Sequence, residues 1–144
     1  MIEMHMENQR VERLRLRQLG EDWIRAITEG ALERLEQYCQ PEIHSRLLSP
    51  TQFVTFDTST DLMVKAHQWF GECSDFQIEQ SRVEMVGERL VIFYRFFLQE
   101  QGGWFTVEQQ LYCTMKDGRI AQLDLLCSGF QPVEFRGLPE PMSP

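Results

Sequence analysis

Residues 76–128, FQIEQSRVEMVGERLVIFYRFFLQEQGGWFTVEQQLYCTMKDGRIAQLDLLCS, decide the fold. Apolar and polar side chains alternate along them with a period of two, the spacing of strands with one face against a core. Gly87-Glu88, Gly102-Gly103 and Asp117-Gly118 interrupt the alternation, and each pair suits a two-residue hairpin turn. The expected strands are 76–86, 89–99, 104–116 and 119–128, joined as an antiparallel meander.

Two-residue turns also fix register. Closure at these pairs sets Ser81 opposite Tyr94, Tyr94 opposite Leu111, Arg95 opposite Gln110, Leu111 opposite Asp124 and Glu108 opposite Cys127. One face then collects Val83, Met85, Ile92, Tyr94, Phe96, Val107 and Leu126, with Gln109 and Asp124 among its few polar members. That is the face helices should cover. The other carries Arg95, Glu108, Gln110 and Tyr112 among Phe93, Phe97 and Leu125, an amphipathic surface suited to a second copy of the chain.

Upstream the period changes. Leu16, Leu19, Gly20, Trp23 and Ile27 share one helical face, while Val11 and Leu14 lie off it, so the first turns fray or pack on another subunit. Gly30 stops this helix. A short helical segment over 32–39 buries Leu32, Leu35 and Cys39 before Pro41, and 43–48 reads as a short strand ended by Pro50. The cluster Thr58-Ser59-Thr60 caps a third helix carrying Leu62, Ala66, Trp69 and Phe70, closed by Gly71. Four of the six prolines follow Phe130, which predicts an irregular tail. The expectation is therefore an α+β fold, three N-terminal helices on a curved antiparallel sheet in a cone-like barrel. Its parts are a helical extension over 1–14, a domain over 15–130 and a tail over 131–144.

At 144 residues the chain has room for one core. A net charge of −8 repels phosphate backbones and anionic lipid, so neither nucleic acid nor membrane is an expected partner. No run approaches the ~20 apolar residues of a membrane span, and the polar N-terminus is unlike a secretory signal. Cys39, Cys73, Cys113 and Cys127 form no CxxC pair or metal-ligand spacing, so reduced thiols, a cytoplasmic location, no metal and no cofactor are expected.

The stretch Trp23-Ile24-Arg25-Ala26-Ile27-Thr28-Glu29-Gly30 resembles the end of the first helix of the nuclear transport factor 2-like superfamily. Glu108-Gln109-Gln110-Leu111-Tyr112 through Asp117-Gly118-Arg119-Ile120 resembles its last hairpin, and the similarity of element order covers roughly residues 15 to 130. The resemblance implies a cone with an apolar pocket between helices and sheet, usually in a homodimer. The superfamily includes ketosteroid isomerases, SnoaL-like cyclases, dehydratases, epoxide hydrolases and non-catalytic binding proteins, so fold alone fixes no activity. The isomerase residues are absent. Ser49-Pro50 stands where those enzymes have Asp-Pro, Trp23 where they have Tyr, and Gln109 to Leu111 offer no carboxylate where they have a protonated Asp.

Asp124 is the first candidate for chemistry. On the apolar face, desolvation would push its pKa upward into the range of a general acid or base, with Tyr94 and Gln109 orienting a carbonyl or hydroxyl. A structural, hydrogen-bonded Asp is the competing reading. His44 and Arg46, at a pocket mouth, could hold a ligand carboxylate or form a surface pair. Trp23, Trp69, Phe70 and Tyr94 could stack on a flat apolar ligand or simply fill the core. His67 should be exposed. Cys127-Ser128-Gly129 lacks a nucleophile elbow, and Cys127 reads as a buried thiol beside Glu108. Two functions follow: a SnoaL-like pocket protein for a mostly apolar small molecule, with weak acid–base chemistry through Asp124, or a non-catalytic homodimeric module with a filled pocket.

Overall fold

A computed structural model describes residues 2–133. Helix α1 (Ile2–Thr28) is continuous, but only its second half packs on the sheet: Leu16, Gly20, Trp23, Ile24, Ala26 and Ile27 are buried and everything before Leu16 is exposed. Gly20 lets α1 approach the sheet closely. A Cβ built there would lie 2.5 Å from Val83 Cγ1. Gly30, at φ 73°, ends the helix, and a 3-10 helix (Leu32–Tyr38) buries Leu32 and Leu35.

Strand β1 (Cys39–Leu48) turns Cys39, Ile43, Ser45 and Leu47 inward, and β2 (Phe53–Phe56) pairs antiparallel with it. Helix α2 (Ser59–Phe70) follows, its first turn capped by the Thr58 hydroxyl, which accepts from the Asp61 N–H at 3.1 Å. The three helices are therefore not all N-terminal, because a strand pair separates the third from the others.

The meander comprises β3 (Cys73–Val86), β4 (Arg89–Glu100), β5 (Gly103–Lys116) and β6 (Arg119–Cys127), and β7 (Gln131–Pro132) adds two residues beside β5. The strand order is β2-β1-β6-β5-β4-β3, an open sheet with β2 and β3 as edges. It is mixed, not wholly antiparallel as expected: β1 runs parallel to β6. β7 falls within the expected tail, and residues 134–144 lie outside the described residues.

Three turns behave differently. Gly87-Glu88 closes as expected and sets Ser81 opposite Tyr94. The second hairpin closes at Gln101-Gly102, with Gln101 at φ 50°, so Tyr94 meets Gln109 and Arg95 meets Glu108. That shift of two residues keeps every side chain on its expected face. The third turn closes at Asp117-Gly118, but Met115 pairs with Ile120 and Thr114 with Gln122, which leaves Ala121 as an extra residue on β6. This bulge moves the register by one and reverses the last strand. Leu123, Leu125 and Cys127 face the core, and Asp124 and Leu126 face outward.

Candidate functional site

Inside the cone, β4 and β5 bring Tyr94 and Gln109 together as cross-strand neighbours, each 1% exposed. The Tyr94 hydroxyl donates to Gln109 Oε1 at 2.5 Å, and the Gln109 amide nitrogen donates to Cys127 Sγ at 3.3 Å. The Gly129 N–H reaches the same sulfur at 3.4 Å. Cys127 thus opposes Gln109 and not Glu108, a consequence of the bulge. Trp23, buried on α1, turns its indole N–H toward this cluster, where it counteracts the rise in the Tyr94 pKa without making a hydrogen bond of ordinary geometry. Burial dominates and pushes the Tyr94 hydroxyl far above its usual range. The cluster is a neutral donor–acceptor set. It can orient a carbonyl or hydroxyl, and its Tyr94 hydroxyl has no proton to exchange near neutrality.

Aromatic rings pack beside it. Tyr94 stacks on Phe96 at 4.6 Å between ring centroids, Phe96 meets Phe76 edge-on at 5.6 Å, and Phe70 lies 5.9 Å from Phe130 and 6.2 Å from Phe96. Trp69 sits at the rim, half-buried, with the Lys65 ammonium 5.4 Å from its ring centroid. Phe70 therefore joins the aromatic cluster, and Trp69 touches it through Phe70. Burial also raises the thiols of Cys39 and Cys73 to about 12 and that of Cys113 still further, which removes them as nucleophiles near neutral pH.

The other expected residues assemble on the opposite face. Asp124 pairs with Arg46 across the parallel strands β1 and β6, and Arg46 Nε donates to Asp124 Oδ1 at 2.5 Å. This hydrogen bond, more than the opposing desolvation, holds the Asp124 carboxyl below the usual carboxylate range, with Arg89 and His44 adding to the effect. The upward shift expected from burial is thus reversed. His44 and Arg46 face outward because Ile43, Ser45 and Leu47 take the inward positions of β1, and His44 Nδ1 lies 2.7 Å from Asp57 Oδ1. His67 is exposed, as expected.

Around the Arg46–Asp124 pair lies an open groove of about 370 Å³, lined also by Phe53, Arg89, Tyr112 and Leu126. Further along the same face Arg95 grips Glu108 Oε1 through Nε at 3.1 Å and Nη2 at 2.8 Å, and the Tyr112 hydroxyl donates to Gln110 at 3.0 Å. Sequence reasoning missed Phe53, Arg89 and Leu126 as members of this surface. Leu126 was assigned to the wrong face, and Phe53 sits on a four-residue strand with no turn signature of its own. Among the described residues no group of three or more His, Cys, Asp or Glu could hold a metal ion, and no helix is long and apolar enough to cross a membrane.

No family model matches the chain, and no curated protein matches it significantly. Solved structures do match in fold. An NTF-2 like protein of unknown function from Burkholderia xenovorans LB400 superimposes with a TM-score of 0.63 at 12% identity, covering 83% of this chain and 86% of that one. An LEH-like epoxide hydrolase of M. tuberculosis gives 0.61 at 11%, covering 81% and 85%. Bal32a, from a soil-derived mobile gene cassette, gives 0.67 at 12%, covering 82% and 92%. Identities this low speak to architecture alone. With a curved open sheet, α1 across its concave face and relatives of this kind, the chain has the nuclear transport factor 2-like fold.

Proposed function

We propose that the chain is a non-catalytic binding module that works as a homodimer, two copies meeting through the outer sheet face that carries Arg95, Glu108, Gln110 and Tyr112. The observation that carries this reading is charge matching on that face. A two-fold interface sets a patch against itself, so uncompensated charge of one sign would repel. The chain as a whole is at −8, yet here Arg46 is matched by Asp124 and Arg95 by Glu108 within one sheet face. Between and beside these pairs, Leu48, Phe53 and Leu126 stand 47%, 62% and 44% exposed, the apolar component an interface core requires.

The interior supports the same reading, because Phe70, Phe76, Phe96 and Phe130 pack on one another beside Tyr94. Light scattering across a concentration series tests it. The wild type should run as a dimer, and Leu126→Glu, which adds two like charges across the two-fold axis, should run as a monomer with an unchanged circular dichroism spectrum. A wild type that stays monomeric at its solubility limit would remove the proposal.

One observation favours a second reading, a mostly apolar small molecule held inside the cone. The Trp23 indole N–H is buried without a hydrogen bond of ordinary geometry, and that invites an acceptor. A ligand carbonyl could accept from it once Phe70 or its neighbours yield space. Thermal-shift screening of steroid-like, polyketide-like and terpenoid compounds, repeated on Trp23→Phe, distinguishes the two readings. A compound that stabilises the wild type and not the variant supports the ligand reading.

A further inference from the structure

We propose that the first half of α1 docks on its own kind: two copies of the chain pair antiparallel through Met4, Val11 and Leu14. These side chains are 70%, 49% and 57% exposed, although each is apolar. Spacings of seven and three put them on one side of the helix, away from the Leu16, Gly20, Trp23 and Ile27 stripe that rests on the sheet. With Glu7 and Gln18 between and after them they follow the alternating three-and-four spacing of a coiled-coil seam. Residues 2–15 also have the length at which a helix alone is marginal in water, so a partner helix stabilises them.

Charge selects a second copy as the occupant and sets its direction. Residues 2–9 hold Glu3 and Glu7 without an arginine or lysine, a charge of −2 with His5 neutral. Residues 10–17 hold Arg10, Arg13, Arg15 and Arg17 against Glu12, a charge of +3. A two-fold axis that runs two such helices antiparallel lays each acidic half on the other's basic half, whereas parallel pairing sets like on like. With Met4 opposite the partner's Leu14, one flank also matches residue by residue. Glu7 comes beside the partner's Arg10, and Glu3 beside the partner's Arg17. Glu3 and Arg17 have no ion pair among the described residues, and Glu7 and Arg10 share only an exposed one at 3.7 Å. Glu84, which lines a cleft with Arg10 and Arg17 on the sheet side of α1, pairs instead with Arg82. Exposed pairs of this kind exchange readily for a better partner.

Because the seam faces away from the sheet, the two domains stand on opposite sides of the helix pair and do not collide. Helices overlapping over about 21 Å fall short of the roughly 1,200 Å² of a stable interface, so the contact is transient in dilute solution. It would link outer-face dimers to one another without replacing them. The surface is separate from the outer face, so the proposal does not rest on that dimer and should persist in Leu126→Glu. An anionic membrane suits the helix less well, since Glu3 and Glu7 share a flank with Arg10 and Arg17.

Thiol crosslinking with a short bis-maleimide traps such a contact. Wild type is the control, since Cys39, Cys113 and Cys127 are buried and Cys73 is half-buried. A mixture of Met4→Cys and Leu14→Cys chains should crosslink severalfold faster than either variant alone, because antiparallel pairing leaves like positions about 15 Å apart along the axis. A basic version (Glu3→Arg/Glu7→Arg) and an acidic version (Arg10→Glu/Arg17→Glu) should each lose crosslinking when both chains carry the same reversal. Mixing basic Met4→Cys with acidic Leu14→Cys should restore it. All these positions are exposed, so melting temperatures should stay at the wild-type value. Equal crosslinking in the single-cysteine samples would overturn the antiparallel register, and failure of the charge-reversed mixture would overturn the charge match. Loss of the product in Leu126→Glu would make the contact part of the outer-face dimer and end it as a separate interface. Cosedimentation with phosphatidylserine vesicles but no crosslinked pair would reassign the helix to a membrane surface. Crosslinking no faster than wild type would end the proposal.

Discussion

Arg46 and Asp124 lie side by side on parallel strands, and Arg46 Nε donates to Asp124 Oδ1 at 2.5 Å. The pair turns a candidate proton-transfer group into one that is ionised at neutral pH. Because the folded state lowers the Asp124 pKa, its contribution to stability is complete above the unfolded value of about 3.9 and disappears as pH falls through the folded value. Asp124→Asn should therefore be slightly less stable than wild type from neutrality down to about pH 5, by the small margin usual for half-exposed pairs, and the gap should close as pH falls below the unfolded value and through the folded one. Urea melts at several pH values measure the gap. A gap that widens in acid would mean the carboxyl is stabilised in its protonated form.

Tyr94 and Gln109 give a prediction of opposite character, because both are fully enclosed. Tyr94→Phe strips the Gln109 carbonyl of its donor in a place water cannot easily reach, at a cost of about 1–3 kcal/mol. The double variant Tyr94→Phe/Gln109→Met removes both polar partners and should recover most of that loss. Chemical denaturation of these two variants and of Gln109→Met alone checks the cycle, and additive losses would show that the two side chains are not coupled.

The sequence carried the sheet's faces as far as local signals reach. Gly87-Glu88 set the first hairpin correctly because a two-residue turn leaves no freedom in register. At the second, Gln101 adopts the left-handed conformation while Gly103 begins the strand, an error of two residues that period-two alternation cannot reveal and that leaves the faces intact. The third failed on Ala121, and there a clue existed. Ile120 is apolar at an even position, whereas Leu123, Leu125 and Cys127 are apolar at odd ones, so the buried parity changes between 120 and 123. Such a switch within one strand means an inserted residue. The parallel pairing of β1 with β6 left no such trace, because no turn connects the two strands. The Arg46–Asp124 site was thus illegible as a pair although both residues were candidates.

Gly20 should resist substitution more than its helical position suggests. In an exposed helix, Gly→Ala gains about 1 kcal/mol. Here the new methyl would sit 2.5 Å from Val83 Cγ1 and 3.3 Å from Ile92 Cγ1, and overpacking of that kind costs about 1–3 kcal/mol. Gly20→Ala should therefore lower the melting temperature, and adding Val83→Ala should restore part of it, since the clash needs both side chains. Full recovery of the helix-propensity gain in the single variant would show that α1 stands further from β3.

Deleting Ala121 tests what orients the last strand. Ala121 is the extra residue between the pairs Met115–Ile120 and Thr114–Gln122, so its removal makes those pairs consecutive and leaves Leu123 opposite Cys113 and Asp124 opposite Tyr112. Leu123, Leu125 and Cys127 would still face the core. The deletion variant should therefore melt cooperatively, close to wild type, and Ala121→Ser, which keeps the extra residue, should do the same. Inserting an alanine between Gln122 and Leu123 is the opposite case. Without a second bulge it turns Leu123 and Leu125 to solvent and Asp124 inward. Exposing two core leucines costs about 2 kcal/mol each, a large share of the roughly 5–15 kcal/mol that holds a domain of this size together. A deletion variant that loses its cooperative melt would mean that β6 takes its register from its parallel neighbour β1 and not from the hairpin that precedes it.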